Sequence, residues 1–159
     1  MAVAPFVPTP RVALTKEQHR QIASGLFNYT WSLLERKRRT ASLDDEMLEA
    51  AHASRFHWGH AGTPLNLSIA EWQVSRVYSV LGRGEPALFH AGRALAIARR
   101  FRLTPFYLAY AYEAMARAAS VAERKVDRDR FVRQARRTSA RVRDPSNRRM
   151  LLADLRSIP

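Results

Sequence analysis

Residues 71–95 read EWQVSRVYSVLGRGEPALFHAGRAL. Apolar residues recur every three to four positions on both sides of Gly82, which is the spacing of two amphipathic helices joined by a turn. The second half has alanines at Ala87 and Ala94, whose small side chains would let two helix backbones approach closely. This segment therefore predicts an antiparallel helical hairpin.

The hairpin pattern is repeated further along the chain. Thr63-Pro64 recurs as Thr104-Pro105, an offset of 41 residues. Threonine before proline is a typical helix start, because the hydroxyl caps the first turn and proline suits the first helical position. Hairpins that recur at roughly 20–50 residues stack, since one hairpin cannot bury its own apolar face. The same offset relates other identical pairs, among them Leu67 and Leu108, Ala70 and Ala111, Arg76 and Arg117, Ser79 and Ser120, Val80 and Val121, Ala94 and Ala135.

The remaining segments are also helical in pattern. Thr15 with Gln18 predicts a capping box, and Ser42 and Asp144 are expected to cap further helices. Sustained alternation of apolar and polar residues is absent from the sequence, so we expect no sheet. Seven helices are predicted, with approximate bounds of 15–38, 42–62, 64–82, 85–102, 105–122, 127–142 and 145–157.

Residues 67–98 resemble a tetratricopeptide repeat, and the copies on either side resemble it through their spacing. The matching residues are Tyr78 on the first helix, Leu81-Gly82 at the turn, and Ala87 and Ala94-Leu95 on the second helix. The resemblance implies an all-α fold of about seven helices, in which antiparallel hairpins stack as a short right-handed solenoid. It implies a groove that is lined by the first helix of each hairpin and that binds peptides or proteins. It implies no catalytic activity.

We expect two parts in the chain. Residues 1–14 contain Pro5, Pro8 and Pro10 and are predicted to form an extended arm. Residues 15–158 are predicted to form one helical-repeat domain, with residues 145–157 as its C-terminal capping helix. The arm lacks the basic start and unbroken apolar stretch of a secretory signal, so we expect a cytoplasmic protein with no membrane partner.

The resemblance also implies which side chains face the groove. Aromatic and guanidinium groups among them would suit a peptide that is acidic or ends in a carboxylate, because Arg binds carboxylates through two parallel bonds. We expect Trp72, Arg76, Tyr110 and Arg117 to be exposed on one wall. The alternative is that Glu113 and Arg117 form an i,i+4 pair on a solvated face. The implied groove residues are Ile69, Trp72, Arg76, Ser79, Tyr110, Glu113, Arg117 and Ser120.

Positive charge is concentrated in one part of the chain. The 159 residues have a net charge of +13, no Cys and 27 Lys plus Arg. Most of the excess follows residue 98, and four arginines form a stripe on the predicted helix 127–142. Such a stripe is a candidate for sequence-independent binding to nucleic acid or for docking of an acidic protein, and its commonest alternative is a plain solvated face. The stripe consists of Arg130, Arg133, Arg137 and Arg141.

Histidine and glutamate supply a third candidate site. Glu71 lies in a densely apolar helix and needs a partner if it is buried, for which Arg55, Arg76 and His90 are the candidates. A metal or small-molecule pocket is an alternative to hydrogen-bonded structural histidines, and we assign no cofactor. Its residues would be His52, His57, Glu71, His90 and Glu113.

Motifs of catalysis are missing from the sequence. It contains no phosphate-binding Gly-rich loop after a strand, no Gly-x-Ser-x-Gly and no His-Glu-x-x-His. The absence of Cys also excludes disulfides, thiol catalysis and Cys-ligated zinc. We therefore expect a non-enzymatic interaction module, and apolar surfaces at the two ends of a short stack favour a homodimer.

Overall fold

A computed structural model describes residues 13–159 of the chain. These residues form seven α-helices and no strand, which confirms the predicted all-α class. The expected arm lies almost wholly outside the described residues. The helices are α1 (Lys16–Leu34), α2 (Ala41–Ala61), α3 (Pro64–Val80), α4 (Gly84–Arg100), α5 (Pro105–Val121), α6 (Lys125–Ser139) and α7 (Pro145–Arg156).

Local sequence accounts for several helix starts, but the Thr104 hydroxyl, which was expected to cap α5, makes no cap hydrogen bond, and that helix begins with Pro105 alone. Thr15 and Thr63 each form a capping box, the first with Gln18 and the second with Asn66, and Asp144 caps α7. The cap of α2 lies two residues before the predicted one, because the hydroxyl of Thr40 rather than that of Ser42 accepts from the first turn. α6 likewise begins and ends before the predicted bounds of 127–142.

α1 ends at Leu34 and not near residue 38 as predicted. The guanidinium of Arg39 donates to the carbonyls of Leu33 and Arg36, which lie at the end of the helix. Its Nε also binds the Asp44 carboxylate in the first turn of α2 at 2.6 Å. Arg39 thus links the end of α1 to the first turn of α2.

The turns after α3 and α5 have the same geometry. Gly82 and Glu123, which are 41 residues apart in the sequence, adopt φ values of 70° and 58°. In each turn the next N–H donates back to a helix carbonyl, from Arg83 to Tyr78 and from Arg124 to Ala119. Left-handed residues followed by such a bond are the usual end of a helix. The turn after α4 has the same geometry, with a φ of 50° at Arg102 and a bond from the Leu103 N–H to the Ala98 carbonyl, so this helix end is shared by three turns and is not specific to the repeat.

Consecutive helices pack as antiparallel hairpins that form a stack. α1 packs on α2, α3 on α4 and α5 on α6, and the second helix of each hairpin packs on the next helix in the chain. α3 also contacts α5, and α5 contacts α7, so the odd-numbered helices form one side of the stack. None of the described helices has the length and hydropathy needed to cross a bilayer.

Small residues form the interface between the second and third hairpins. Ala87 and Ala91 of α4 meet Ala114 and Ala118 of α5, and all four are buried. The start of α4 is closer still: a Cβ on Gly84 would lie 2.6 Å from the Cα of Ala122. Close packing of these hairpins positions α3 and α5 side by side on the other face, where the candidate site lies.

Candidate functional site

An open cavity of about 280 Å³ lies on the side of the stack formed by the odd-numbered helices. We call it the aromatic groove, because its walls are mostly aromatic rings from α1, α3 and α5, with Asp154 and Met150 of α7 at one side. The rings belong to Phe27, Trp31, Trp72, Phe106, Tyr107 and Tyr110.

The rings of the aromatic groove touch in a continuous row. The centroids of Trp31 and Trp72 are 5.6 Å apart, and those of Trp72 and Tyr110 are also 5.6 Å apart with planes at 80°. Tyr110 in turn meets Phe106 edge to face at 5.0 Å. These separations lie within the favourable range for aromatic pairs, so three helices contribute to one ordered apolar wall.

The structure divides the expected groove residues into two groups. Ile69, Trp72 and Tyr110 line the aromatic groove. The others lie toward the C-terminal ends of α3 and α5, where the space is closed. Glu113 and Arg117 are buried there, at 1% and 8% exposure, and Arg76, Ser79 and Ser120 lie around them or beside the chain's last residues.

Glu113 is the centre of a buried polar network. Its Oε1 accepts from Arg117 Nε at 2.7 Å and from Arg76 at 3.3 Å, and its Oε2 accepts from the Trp72 indole N–H at 3.2 Å. Bonds of this kind are stronger than neutral ones, and a buried carboxylate needs them. The expected pair between Glu113 and Arg117 therefore exists, but as part of the interior and not on a solvated face.

The expectation that Arg76 and Arg117 are exposed on the groove wall is wrong, because Arg76 is mostly buried against Glu113 and later residues cover Arg117. The NH2 of Arg117 donates to the carbonyl of Asp154 and to the hydroxyl of Ser157, both at 2.9 Å. Ser120 binds the carbonyl of Pro159. The physical reason is that α7 and the residues after it fold back over the C-terminal half of α5 and cover this part of the inner side.

The open part of the aromatic groove has one carboxylate and no unpaired guanidinium among the described residues. Asp154 accepts from the Tyr110 hydroxyl at 2.7 Å, and Arg76 lies 4.0 Å from its other oxygen. Burial and the bond to Asp154 raise the pKa of Tyr110, so the phenol stays protonated. Since Arg76 and Arg117 both donate hydrogen bonds to Glu113, nothing in the described groove favours an acidic ligand.

Glu71 lies outside the groove, in a second buried network between α2, α3 and α4. The Nε–H groups of Arg55 and Arg93 donate to its Oε1 at 2.8 and 2.7 Å, and His90 Nδ1 lies 2.7 Å from its Oε2. Burial alone would raise the pKa of Glu71, but the bonds from His90, Arg55 and Arg93 lower it to about 2. Two of the three expected partners are therefore present, and the third, Arg76, binds Glu113 instead.

The five residues of the expected metal or small-molecule pocket do not form one site. His52 contacts His90 at 5.2 Å between ring centroids and binds the Tyr78 hydroxyl, so both histidines lie beside Glu71. His57 instead pairs with His19 of α1, with their Nδ1 atoms 2.8 Å apart. Glu113 belongs to its own network. Within residues 13–159, no group of three or more His, Asp or Glu side chains is arranged to hold a metal ion.

The arginines of the expected stripe are exposed, but only Arg130, Arg133 and Arg137 lie on α6, because the helix ends at Ser139 and Arg141 lies in the turn after it. The four arginines also differ in their partners. Arg130 binds Asp127 at 2.9 Å and lies over the ring of Phe131. Arg133, Arg137 and Arg141 have no carboxylate partner among the described residues. The stripe thus presents three uncompensated guanidinium groups to solvent.

Some site residues were not expected from the sequence. Phe27 and Trp31 are four residues apart on α1, and Phe106 and Tyr107 precede Tyr110 on α5; helical spacing could have placed all of them on the inner face. His19 and Arg93 had no such signal, because their partners come from other helices. Comparisons of the chain with family models, with curated proteins and with solved structures find no significant match.

Proposed function

We propose that the protein is a non-enzymatic, tetratricopeptide-like interaction module that binds an extended apolar peptide segment in the aromatic groove. The observation that carries this proposal is the row of rings contributed by Trp31, Trp72 and Tyr110 to an open cavity on the side of the odd-numbered helices. Aromatic rings with few polar groups are typical of binding sites, and they give large contact area at low entropic cost.

The groove's polarity supports an apolar ligand over an acidic one. Asp154 is its carboxylate, and the guanidinium groups nearest to it are bound to Glu113. An acidic peptide would meet a like charge there, whereas an apolar segment would bury the rings. The partner class we favour is therefore a protein or peptide with an extended apolar stretch. The homodimer and the cytoplasmic location expected from the sequence stay predictions.

A peptide-binding measurement tests this function. Short synthetic peptides with apolar extended sequences are screened against the full chain by isothermal titration, and the best binder is titrated into two variants. Tyr107→Ala removes a ring from the groove wall, and we expect about a tenfold loss of affinity, as is usual for a buried aromatic contact. Phe89→Ala removes an exposed ring on α4, outside the groove, and should bind within about twofold of the parent. Equal losses in the two variants would exclude the groove as the site.

The uncompensated arginines favour nucleic acid as a second candidate ligand. Binding through them would be electrostatic, so affinity for a generic duplex should fall steeply between about 50 and 200 mM salt. Arg137→Gln with Arg141→Gln should weaken binding and reduce its salt dependence, while Arg20→Gln on α1 is the matched control. Anisotropy of a labelled duplex measures both effects. Binding that does not weaken with added salt would exclude these arginines as an electrostatic nucleic-acid site.

A further inference from the structure

The aromatic groove has a chemical complement within the same chain. Residues 1–12, which precede the described part, read MAVAPFVPTPRV. They contain three prolines at positions 5, 8 and 10, an aromatic ring at Phe6, and one charged side chain, Arg11. The groove consists of aromatic rings with one carboxylate. The two thus match in apolar character and are opposite in charge.

Proline-rich segments suit grooves of this composition. Proline fixes φ, so an extended segment loses little entropy on binding, and its flat ring packs on indole and phenol faces. Aromatic-lined grooves that bind Pro-x-x-Pro segments use this physics, and residues 5–8 have that spacing. Trp31, Trp72 and Tyr110 offer ring faces and edges of the required kind in a continuous row.

The charge at the edge of the groove is also complementary to residues 1–12. The side chain of Asp154 is 33% exposed, and its nearest guanidinium, on Arg76, is 4.0 Å away and mainly bound to Glu113. An additional cation can therefore approach Asp154 from solvent. Arg11 is the cationic side chain of residues 1–12 and can supply that charge.

The chain is long enough to make this contact. α1 begins at Lys16 and contributes Phe27 and Trp31 to the groove, so the groove lies about 17–22 Å along α1 from its start, at 1.5 Å per residue. An extended segment covers about 3.1 Å per residue, so the link from Lys16 back to residue 8 spans about 25 Å. Residues 5–10 can therefore lie over the rings if the chain reverses before α1.

We propose that residues 5–11 bind the aromatic groove of their own chain and compete with any incoming peptide. The inference rests on the proposed function, because it assigns a resident ligand to the same groove. It also defines the class of outside ligand that can displace this segment: an extended proline-rich stretch with an apolar side chain and a basic residue. A short tether gives an effective concentration in the millimolar range, so a segment with a dissociation constant below about 1 mM occupies the groove most of the time.

Fluorescence of a single label tests the proposal in the full chain. The protein has no Cys, so Thr9→Cys provides one attachment site for bimane, a fluorophore quenched by contact with tryptophan. Trp31 and Trp72 line the groove, whereas Trp58 lies on α2 and does not. We expect Trp31→Phe and Trp72→Phe each to brighten the label, together by about twofold or more, if the segment is bound most of the time. Trp58→Phe is the matched control and should leave the brightness unchanged.

Three outcomes separate the possibilities. Equal brightness in all tryptophan variants, with circular dichroism showing that they are folded, overturns the inference and leaves the peptide-binding proposal to its own titration. Brightening that depends on protein concentration also overturns it, because the segment then binds a second copy. Brightening that is independent of concentration and is reproduced by adding a synthetic peptide of residues 1–12 supports it.

Discussion

At the scale of single residues, Glu71 makes the clearest prediction. Its pKa is about 2 in the folded protein, below the ordinary value of 4.5, so folding favours the ionised form. The resulting stability is fully present above about pH 4.5 and is lost as pH falls toward 2, and a shift of this size corresponds to about 3 kcal/mol. We expect Glu71→Gln to lower the free energy of unfolding at pH 7 by a comparable amount. The gap between variant and parent should then close over this pH range.

Urea unfolding of both proteins from pH 7 to pH 2.5 measures this gap. Glu49→Gln is the matched control, since Glu49 is an exposed residue of α2, and it should show no such gap. A gap between parent and Glu71→Gln that stays constant with pH would mean that the network stabilises by packing and not by charge.

Residue-level contacts were predictable only in part. Glu71 was expected to need a partner because a carboxylate sits in an apolar helix, and Arg55 and His90 were among the candidates. Arg93 was missed, because its approach depends on how α4 packs against α3. The burial of Arg117 was missed for a similar reason: it is covered by residues about 40 positions later, and local spacing carries no signal of that distance.

At the scale of helices and turns, Glu123 marks a strained position. Its φ of 58° lies in the left-handed region, which costs a residue with a Cβ about 1 kcal/mol or more. Once the entropy that glycine adds to the unfolded chain is subtracted from this relief, Glu123→Gly should stabilise the protein by a net of about 0.5 kcal/mol. Thermal unfolding should move upward by about 2 °C.

A neighbouring residue supplies the control for this turn. Ala122 has a φ of −83°, so Ala122→Gly relieves no strain and should destabilise. If both glycines lower the melting temperature, the left-handed turn is not the source of strain.

Three helix starts were predictable because they depend on neighbouring residues. Thr15, Thr63 and Asp144 cap the helices expected of them, through bonds that reach three residues along the chain. The end of α1 was not predictable in this way. Arg39 marks this end by binding the Leu33 carbonyl before it and the Asp44 carboxylate after it. In a run of basic residues, the sequence alone does not show which arginine caps a helix and which is solvated.

At the scale of the whole molecule, the stack depends on close approach between hairpins. A Cβ on Gly84 would lie 2.6 Å from the Cα of Ala122 at the end of α5, and backbone atoms cannot move aside as a flexible side chain can. Gly84→Ala should therefore destabilise by about 1–3 kcal/mol, the usual cost of overpacking. Urea unfolding measures the change.

Gly92 is the matched control for this interface, because it lies on the same helix and a Cβ there would meet nothing within 4 Å. Gly92→Ala should stabilise by up to about 1 kcal/mol through helix propensity alone. Similar effects from the two alanines would show that the hairpins do not approach as closely as described.

The architecture was predictable from the sequence. Two Thr-Pro helix starts at a fixed offset imply repeated hairpins, and repeated hairpins must stack to bury their apolar faces. The extent of the groove was not predictable, because α7 covers one half of the inner side and leaves the aromatic half open. Tyr110 and Arg117 lie on the same helix, yet one lines the cavity and the other is enclosed.

The row of rings has one more consequence, which is optical. Two indoles with centroids 5.6 Å apart, those of Trp31 and Trp72, are close enough for their electronic transitions to couple. Coupled chromophores in a fixed chiral arrangement produce a paired positive and negative band in circular dichroism. A ligand that wedges between or reorients the indoles changes the amplitude of that band. The protein thus carries its own spectroscopic reporter of whether its groove is occupied, with no added dye.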